Sequence, residues 1–418
     1  MAETQTSDRT ALVIGAGIVG VCSALYLQRE GLRVTLVDRT GPGKGATEGN
    51  AGNLGVASCV PASLPGMLPS VPRLLLDPEE PLSVPWTKLL GMTPWFLRFA
   101  LAGRRQRVEE IADARYSLLS KLFEAYDPLL SESGAEALIR RDGLLQIFED
   151  AKYLAGSKYV IDLRRRRGIR IQEMSGDEAR EMEPALGPGI VGAVFLPDVA
   201  VTVNPLRLAQ VLAENFVRQG GTLLTETVKG FELAAEGTPR VVTDAATHTP
   251  DLIVLAAGAW SKPLAAQLGC KLPLAAERGY NLMFPEPGIQ LRMCVNSRDR
   301  HVAITPMEHG LRCSSIAEFT DPDAPLNPAH TDVIERKAKA LFPTLNTEGA
   351  TRWVGPRPSL PDSKPVIGPA PRHPNVLFAF GHDHIGIAVG AITGKLIGEL
   401  AGGRPPSVDL APFRPDRF

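Results

Sequence analysis

Two short apolar blocks, TALVI over 10–14 and RVTLVD over 33–38, flank a helical stretch from Val21 to Glu30 that Gly31 stops. Each block is too short for a helix and rich in strand-forming residues, so both predict buried strands. GAGIVG at 15–20 lies between the first strand and the helix. Strand, glycine turn, helix and strand within about 30 residues make one βαβ unit. Beyond it the chain turns loop-like through GATEGNAGNLG (45–55) and stays proline-rich to Pro94. A helical pattern then covers 108–133, a strand 144–148 and a charged helix 153–167, whose RRRR run at 164–167 reads as a solvated helix end. A second α/β pattern begins near Asn204, with a helix over 205–219 and strands in TLLTETVKG and DLIVLAAGA. Strands fill 280–319, and the chain closes with the strand NVLFAF, a histidine-containing turn and a helix over about 389–400. No internal repeat or low-complexity segment breaks this pattern.

The chain has 418 residues, more than one hydrophobic core usually serves, so two domains are expected. Its 45 basic and 46 acidic residues nearly cancel, which gives no reason to expect nucleic acid. Five widely spaced cysteines without a CxxC pair argue against a disulfide framework or zinc site and suit a reducing cytoplasm. The polar start MAETQTSDRT has no signal-peptide core, and no run of about 20 apolar residues is seen, so no membrane span is expected. The segment 86–102, WTKLLGMTPWFLRFALA, is apolar and followed by arginines. An ordinary helix packed on a substrate domain is the favoured reading; docking on a membrane surface, with a quinone or other electron acceptor there, is the alternative. The oligomeric state is left open.

Gly15, Gly17 and Gly20 follow the GxGxxG pattern, and Asp38 ends the next strand 18 residues after Gly20 (38 − 20 = 18). The first glycine permits the tight turn, the second lets backbone N–H groups approach a pyrophosphate, and the third lets helix and strand pack closely. The phosphates then sit at the positive end of the helix, near Ile18 and Val19. Asp38 is placed to accept from ribose hydroxyls, with Arg39 beside it. This pattern alone does not separate NAD from FAD.

Together with its later segments the sequence resembles the FAD-dependent amino acid oxidoreductases of the D-amino-acid oxidase superfamily, above all D-amino-acid dehydrogenases of D-proline or D-hydroxyproline type. The resemblance runs over nearly the whole chain and implies FAD as cofactor. In GATEGNAGNLG it implies flavin contacts at Thr47, Asn50, Ala51, Asn53 and Leu54. Val228 in TETVKG falls where a backbone group meets the adenine, and Gly258 and Trp260 in DLIVLAAGAWS fall near the cofactor. WVGPRPSLPDSKPVIGPA (353–370) matches the family's GxRPxxPDxxPxIG block and makes Arg357 the clamp for a substrate carboxylate. FAFGHDHIGIAVG matches the following GHxxxG block, in which Gly381, Asp383, His384, Ile385, Gly386 and Ile387 line the flavin ring.

In Arg278-Gly279-Tyr280 the tyrosine is a second expected carboxylate contact and the arginine a weaker one. His384 is expected to touch a ring substituent or to help take the substrate's ammonium proton, and His382 to be structural. The HDH spacing supplies no fourth metal ligand, so no metal is expected. The implied fold is α/β, an FAD-binding Rossmann-like domain (1–75, 190–275, 345–418) with a substrate domain built on a large antiparallel sheet (76–189, 276–344). The implied reaction is oxidative deamination of a small-molecule D-amino acid by hydride loss from Cα. A sarcosine- or glycine-type oxidase and a non-catalytic flavin-binding subunit are the alternatives.

Overall fold

The computed structural model describes residues 8–67, 77, 79–233 and 237–418. Strand β1 (Thr10–Ile14) lies at the centre of a six-stranded sheet, with β2 (Arg33–Asp38) and then Thr222–Thr225 on one side. On its other side come Leu252–Leu255, His373–Phe380 and Val366–Ala370. All neighbours run parallel except the last pair, which is antiparallel. Both faces of this sheet are covered, which is why β1 and Leu252–Leu255 read as unbroken apolar runs rather than alternating ones.

Helix α1 (Ile18–Arg29) covers one face and packs against the helix Gly386–Ala401. At Gly394 the two backbones come so close that a Cβ would lie 2.6 Å from the Cys22 carbonyl. The stretch Asp383–Ala401 is the one helix among the described residues long and apolar enough to cross a membrane, a property the sequence reading did not count. Of its apolar window 78% is buried inside the protein, so its hydrophobicity serves the core.

The second large sheet has the path Thr351–Ser359, Ala275–Phe284, Gly310–Phe319, Val302–Met307, Cys294–Ser297, Leu144–Phe148, Gly192–Leu196, Gln172–Ser175, with Leu82–Ser83 paired to Gly310–Phe319. It is antiparallel apart from two parallel pairings. Two of its strands depart from the expected boundaries: Gly192–Leu196 and Thr351–Ser359, assigned above to cofactor-binding segments, both pair into this sheet. Chain continuity misled there, because each strand follows a connection and pairs with a partner distant in sequence.

One further reading changes. In the RRRR run, Arg164 is buried, donating to the Ala57 carbonyl (3.0 Å) and Gln146 Oε1 (2.9 Å), and Arg167 is tied to Glu109 and Asp113. Residues three apart share a helix face, so 164 and 167 turn inward while 165 and 166 meet solvent. The helix Trp86–Ala102 packs one edge on the large sheet, with Trp95 against Phe99 and Phe319. Its other edge leaves Trp86 (71%) and Leu90 (85%) exposed, together with Leu97 and Leu101.

Candidate active site

A cavity of about 910 Å³ opens where the carboxyl ends of the parallel strands face the large sheet. Ligands of open α/β sheets bind at such a crevice. Every residue expected at the site lines it except Gly20, Leu54, Gly381 and Arg278. Gly20 is a packing residue, since a Cβ there would lie 1.8 Å from the Gly15 carbonyl oxygen. Leu54 is fully buried and pairs with Ala200, and Gly381 turns the chain at φ 80°.

The cofactor end is built by α1 and the loop after β2. Gly17, the N-cap of α1, has no side chain to cap the helix and lines the cavity, so the positive helix terminus stays close to an anion bound there. Ile18 N donates to Thr47 Oγ1 (3.1 Å), which fixes the loop against the helix. Asp38 Oδ1 accepts from the N–H groups of Thr40 (2.8 Å) and Gly41 (2.9 Å), and Oδ2 from Ala16 N (2.8 Å). The carboxylate thus holds the glycine turn to the strand end, and the single bond at Oδ2 leaves it acceptor capacity at the cavity wall. Arg39 stacks 4.0 Å over the Trp260 ring, and both side chains bond Asp323.

Three neighbouring strands of the large sheet grip the 45–55 loop by its carbonyls. Arg312 Nη1 donates to Glu48 O (2.9 Å) and Asn50 O (2.7 Å), Asn281 to Gly49 O (3.0 Å) and Thr305 to Ala51 O (3.0 Å). With four successive carbonyls held from that side, the loop is a rigid wall rather than a flexible surface segment. A helix end that begins at a cavity-lining glycine, an open carboxylate and a rigid loop fit a dinucleotide.

At the other end Arg357, 23% exposed, donates through Nη1 to Glu277 Oε1 (2.8 Å) and to Ile316 O (3.3 Å). Among the described residues its Nη2 and Nε make no hydrogen bond. The guanidinium lies over Gly279, where a Cβ would sit 2.1 Å from Nη2. Glu277, 6% exposed, also accepts from His384 Nε2 (2.8 Å) and Ser359 Oγ (2.8 Å). His384 Nε2 lies 3.2 Å from Asp383, which in turn faces Arg115 at 3.6 Å. Burial works against both charges of the Glu277–His384 pair, but their attraction wins: Glu277 is held well below the usual carboxylate range and His384 above the usual imidazole value. Glu277, Asp383 and His384 bring their ligand atoms within 4.8 Å of one another. Arg357 and Arg115 already compensate these carboxylates, which makes the cluster a poor cation site. His382 bonds Thr393 (3.0 Å), and burial holds it down to about 3, hence neutral and structural.

Tyr280 and Arg278 spend their polar groups inside the protein, although Tyr280 also lines the cavity. The Tyr280 hydroxyl donates to Glu318 (2.7 Å), and Arg278 bonds Glu318 and the carbonyls of Ala324 and Pro325. Strand alternation is the reason: 278 and 280 face one side with Glu318, whereas 277 and 279 face the other with Arg357. Glu277, Ser359 and Arg115 escaped the sequence reading, as did Trp353, whose ring covers Gly49 and Gly355 so closely that a Cβ on either would lie within 2.3 Å.

A parallel dinucleotide sheet, a second sheet roofing its carboxyl ends and an arginine free to grip an anion define a flavoprotein oxidoreductase. The chain belongs to the FAD dependent oxidoreductase family, whose match spans residues 10–400. It is similar to a D-amino-acid oxidase of Bradyrhizobium diazoefficiens, 34% identical over 98% of this chain and 99% of that one. A D-amino acid dehydrogenase of Allorhizobium ampelinum is 29% identical over 97% and 98%. Its fold is shared with glycine oxidase from Geobacillus kaustophilus (TM-score 0.75, 22% identity, 98% and 99% covered) and with L-proline dehydrogenase from P. horikoshii (0.74, 19%, 99% and 98%).

Proposed function

We propose that this enzyme oxidises a D-amino acid, with D-proline or D-hydroxyproline as its substrate type. One observation carries the reading: Arg357 is anchored through Nη1 alone, and its Nη2–Nε edge has no protein acceptor among the described residues. That planar edge suits a bidentate carboxylate. Bound FAD supplies the hydride acceptor for the substrate Cα–H. Gly17 and the α1 terminus would hold its pyrophosphate, Asp38 its ribose, and the 45–55 loop with the 381–387 turn its ring. Arg357 fixes the carboxylate plane and thereby Cα, while the Trp353 ring helps to close the cavity to water. The two carboxylates at Nε2 favour a protonated His384, so its Nδ1–H serves as donor to a ring substituent rather than as base. The D-specific relatives at 29–34% identity support the stereochemistry, and the GHDHIG turn supports the cyclic substrate.

Anaerobic titration of the FAD-bound protein with D- and L-amino acids, glycine and sarcosine tests this. Bleaching of the flavin by D-proline or D-hydroxyproline, with an apparent affinity reduced about a hundredfold in Arg357→Met, is expected. Bleaching only by glycine or sarcosine would replace the reading with that type of oxidase, and none at all with a non-catalytic flavin subunit. The apolar edge of Trp86–Ala102 favours one further proposal: the enzyme rests peripherally on the cytoplasmic face of a membrane and passes its electrons to an acceptor there.

A further inference from the structure

Besides the Arg357 group, the same cavity is lined by a second group, or lobe: Arg164, Asn296, Arg298 and His301. The two regions join at Ile316, a bulged residue at φ 62°: its carbonyl accepts from Arg357, and the adjoining Ser315 Oγ donates to His301 O (2.7 Å). Arg164 is 7% exposed, and its two acceptors, the Ala57 carbonyl and the Gln146 amide, are both neutral. The half-buried Arg298 side chain makes no ion pair or hydrogen bond among the described residues. The carboxylates nearby are committed elsewhere. Asp299 accepts from Glu149 N (2.9 Å) and Asp150 N (3.1 Å), Glu149 pairs with Arg300, and Glu80 faces His301 at 3.8 Å. The Cys59 thiol beside Arg164 stays neutral because burial pushes it up. Burial and then the charge of Arg298 press Arg164 down to about 10. Two guanidiniums thus line one cavity and feel each other's charge, and among the described residues no carboxylate pairs with either. Buried charge without a counter-charge is costly, so such a pair calls for an anion from outside the protein.

We propose that this lobe is a second anion subsite and that the enzyme also accepts amino acids carrying a second carboxylate, of the D-glutamate and D-aspartate class. The α-carboxylate lies on Arg357 and the distal carboxylate between Arg164 and Arg298. Cyclic substrates leave the lobe to water. The inference rests on the amino acid reading of the Arg357 site.

The test compares kcat/KM of the FAD-bound enzyme for D-glutamate against D-glutamine, and for D-aspartate against D-asparagine. In parallel, the rise in Tm caused by glutarate is compared with that caused by butyrate. The acids should be preferred by about tenfold or more, as a charge-assisted contact provides. Arg298→Gln should bring the ratio to within about twofold and bring the glutarate shift down to that of butyrate. The half-buried Arg298 side chain makes no hydrogen bond or ion pair among the described residues, so this variant should fold. Equal use of acid and amide by the wild type, or a preference that survives in Arg298→Gln, would overturn the subsite while leaving D-proline oxidation standing. If no amino acid bleaches the flavin yet glutarate still stabilises the protein through Arg298, the functional reading fails and the subsite stands.

Discussion

Glu277 receives hydrogen bonds from Arg357, His384 and Ser359 while almost wholly buried, so it is the residue through which the site's charges are coupled. Its effect on stability has a definite sign. His384 sits above its ordinary value of 6.5, so the protonated pair contributes stability fully below about pH 6.5, lost as pH rises through the raised value. Glu277 sits below its ordinary 4.5, so its contribution is present above about pH 4.5 and lost in stronger acid. The Tm difference between wild type and His384→Asn should therefore be largest near about pH 5.5–6 and shrink toward about pH 9, and Glu277→Gln should flatten it. A difference that grows with pH would mean that the histidine is neutral in the folded protein. Arg357 was legible because it sits in a proline-rich block of recognisable form. Glu277 was not, because its partner is its cross-strand neighbour 80 residues away. That Arg278 and Tyr280 turn their polar groups to Glu318 was hidden for a related reason: adjacent residues in one strand face opposite ways, and the sequence does not say which way each points.

Elements show a similar division. The β1–α1–β2 unit and the strand NVLFAF were legible because each is short, apolar and bounded by glycine or a polar turn. The membership of Gly192–Leu196 and Thr351–Ser359 in the large sheet was not, since pairing partners leave no mark in local pattern. The closing helix reveals its purpose only in the fold, where Gly390, Gly394 and Gly398 meet Ile18, Cys22 and Tyr26 of α1 at matching four-residue steps. The residue numbers rise together, so the helices run parallel and bring the glycine turn and the 381–387 turn to the same end, at the cavity. Gly394→Val would force the backbones apart and should cost roughly 1–3 kcal/mol. Thermal melting should show a Tm several degrees lower, with FAD released at lower urea concentration than from the wild type. A variant that melts and retains FAD like the wild type would show that the helices tolerate separation and that their spacing does not set the site.

At the scale of the whole molecule, the cavity lies between two sheets while the helix Trp86–Ala102 is held against the substrate sheet by Trp95 and Phe319. Trp86, Leu90, Leu97 and Leu101 form an exposed apolar edge, and Arg98, Arg104, Arg105 and Arg107 are exposed beside it. An apolar edge with neighbouring cations is the pattern of a helix that lies in an anionic lipid surface, where burial and charge attraction add. The prediction is that the FAD-bound protein co-sediments with vesicles containing phosphatidylglycerol and much less with neutral phosphatidylcholine vesicles. Raising salt should weaken the association, since it screens the arginines, without abolishing it, since the apolar edge remains. Trp86→Glu combined with Leu90→Glu should abolish it while leaving FAD content and D-amino acid turnover with a soluble dye unchanged, because neither side chain lines the cavity. Equal sedimentation of wild type and variant would remove the membrane reading and make this helix only the outer wall of the substrate sheet.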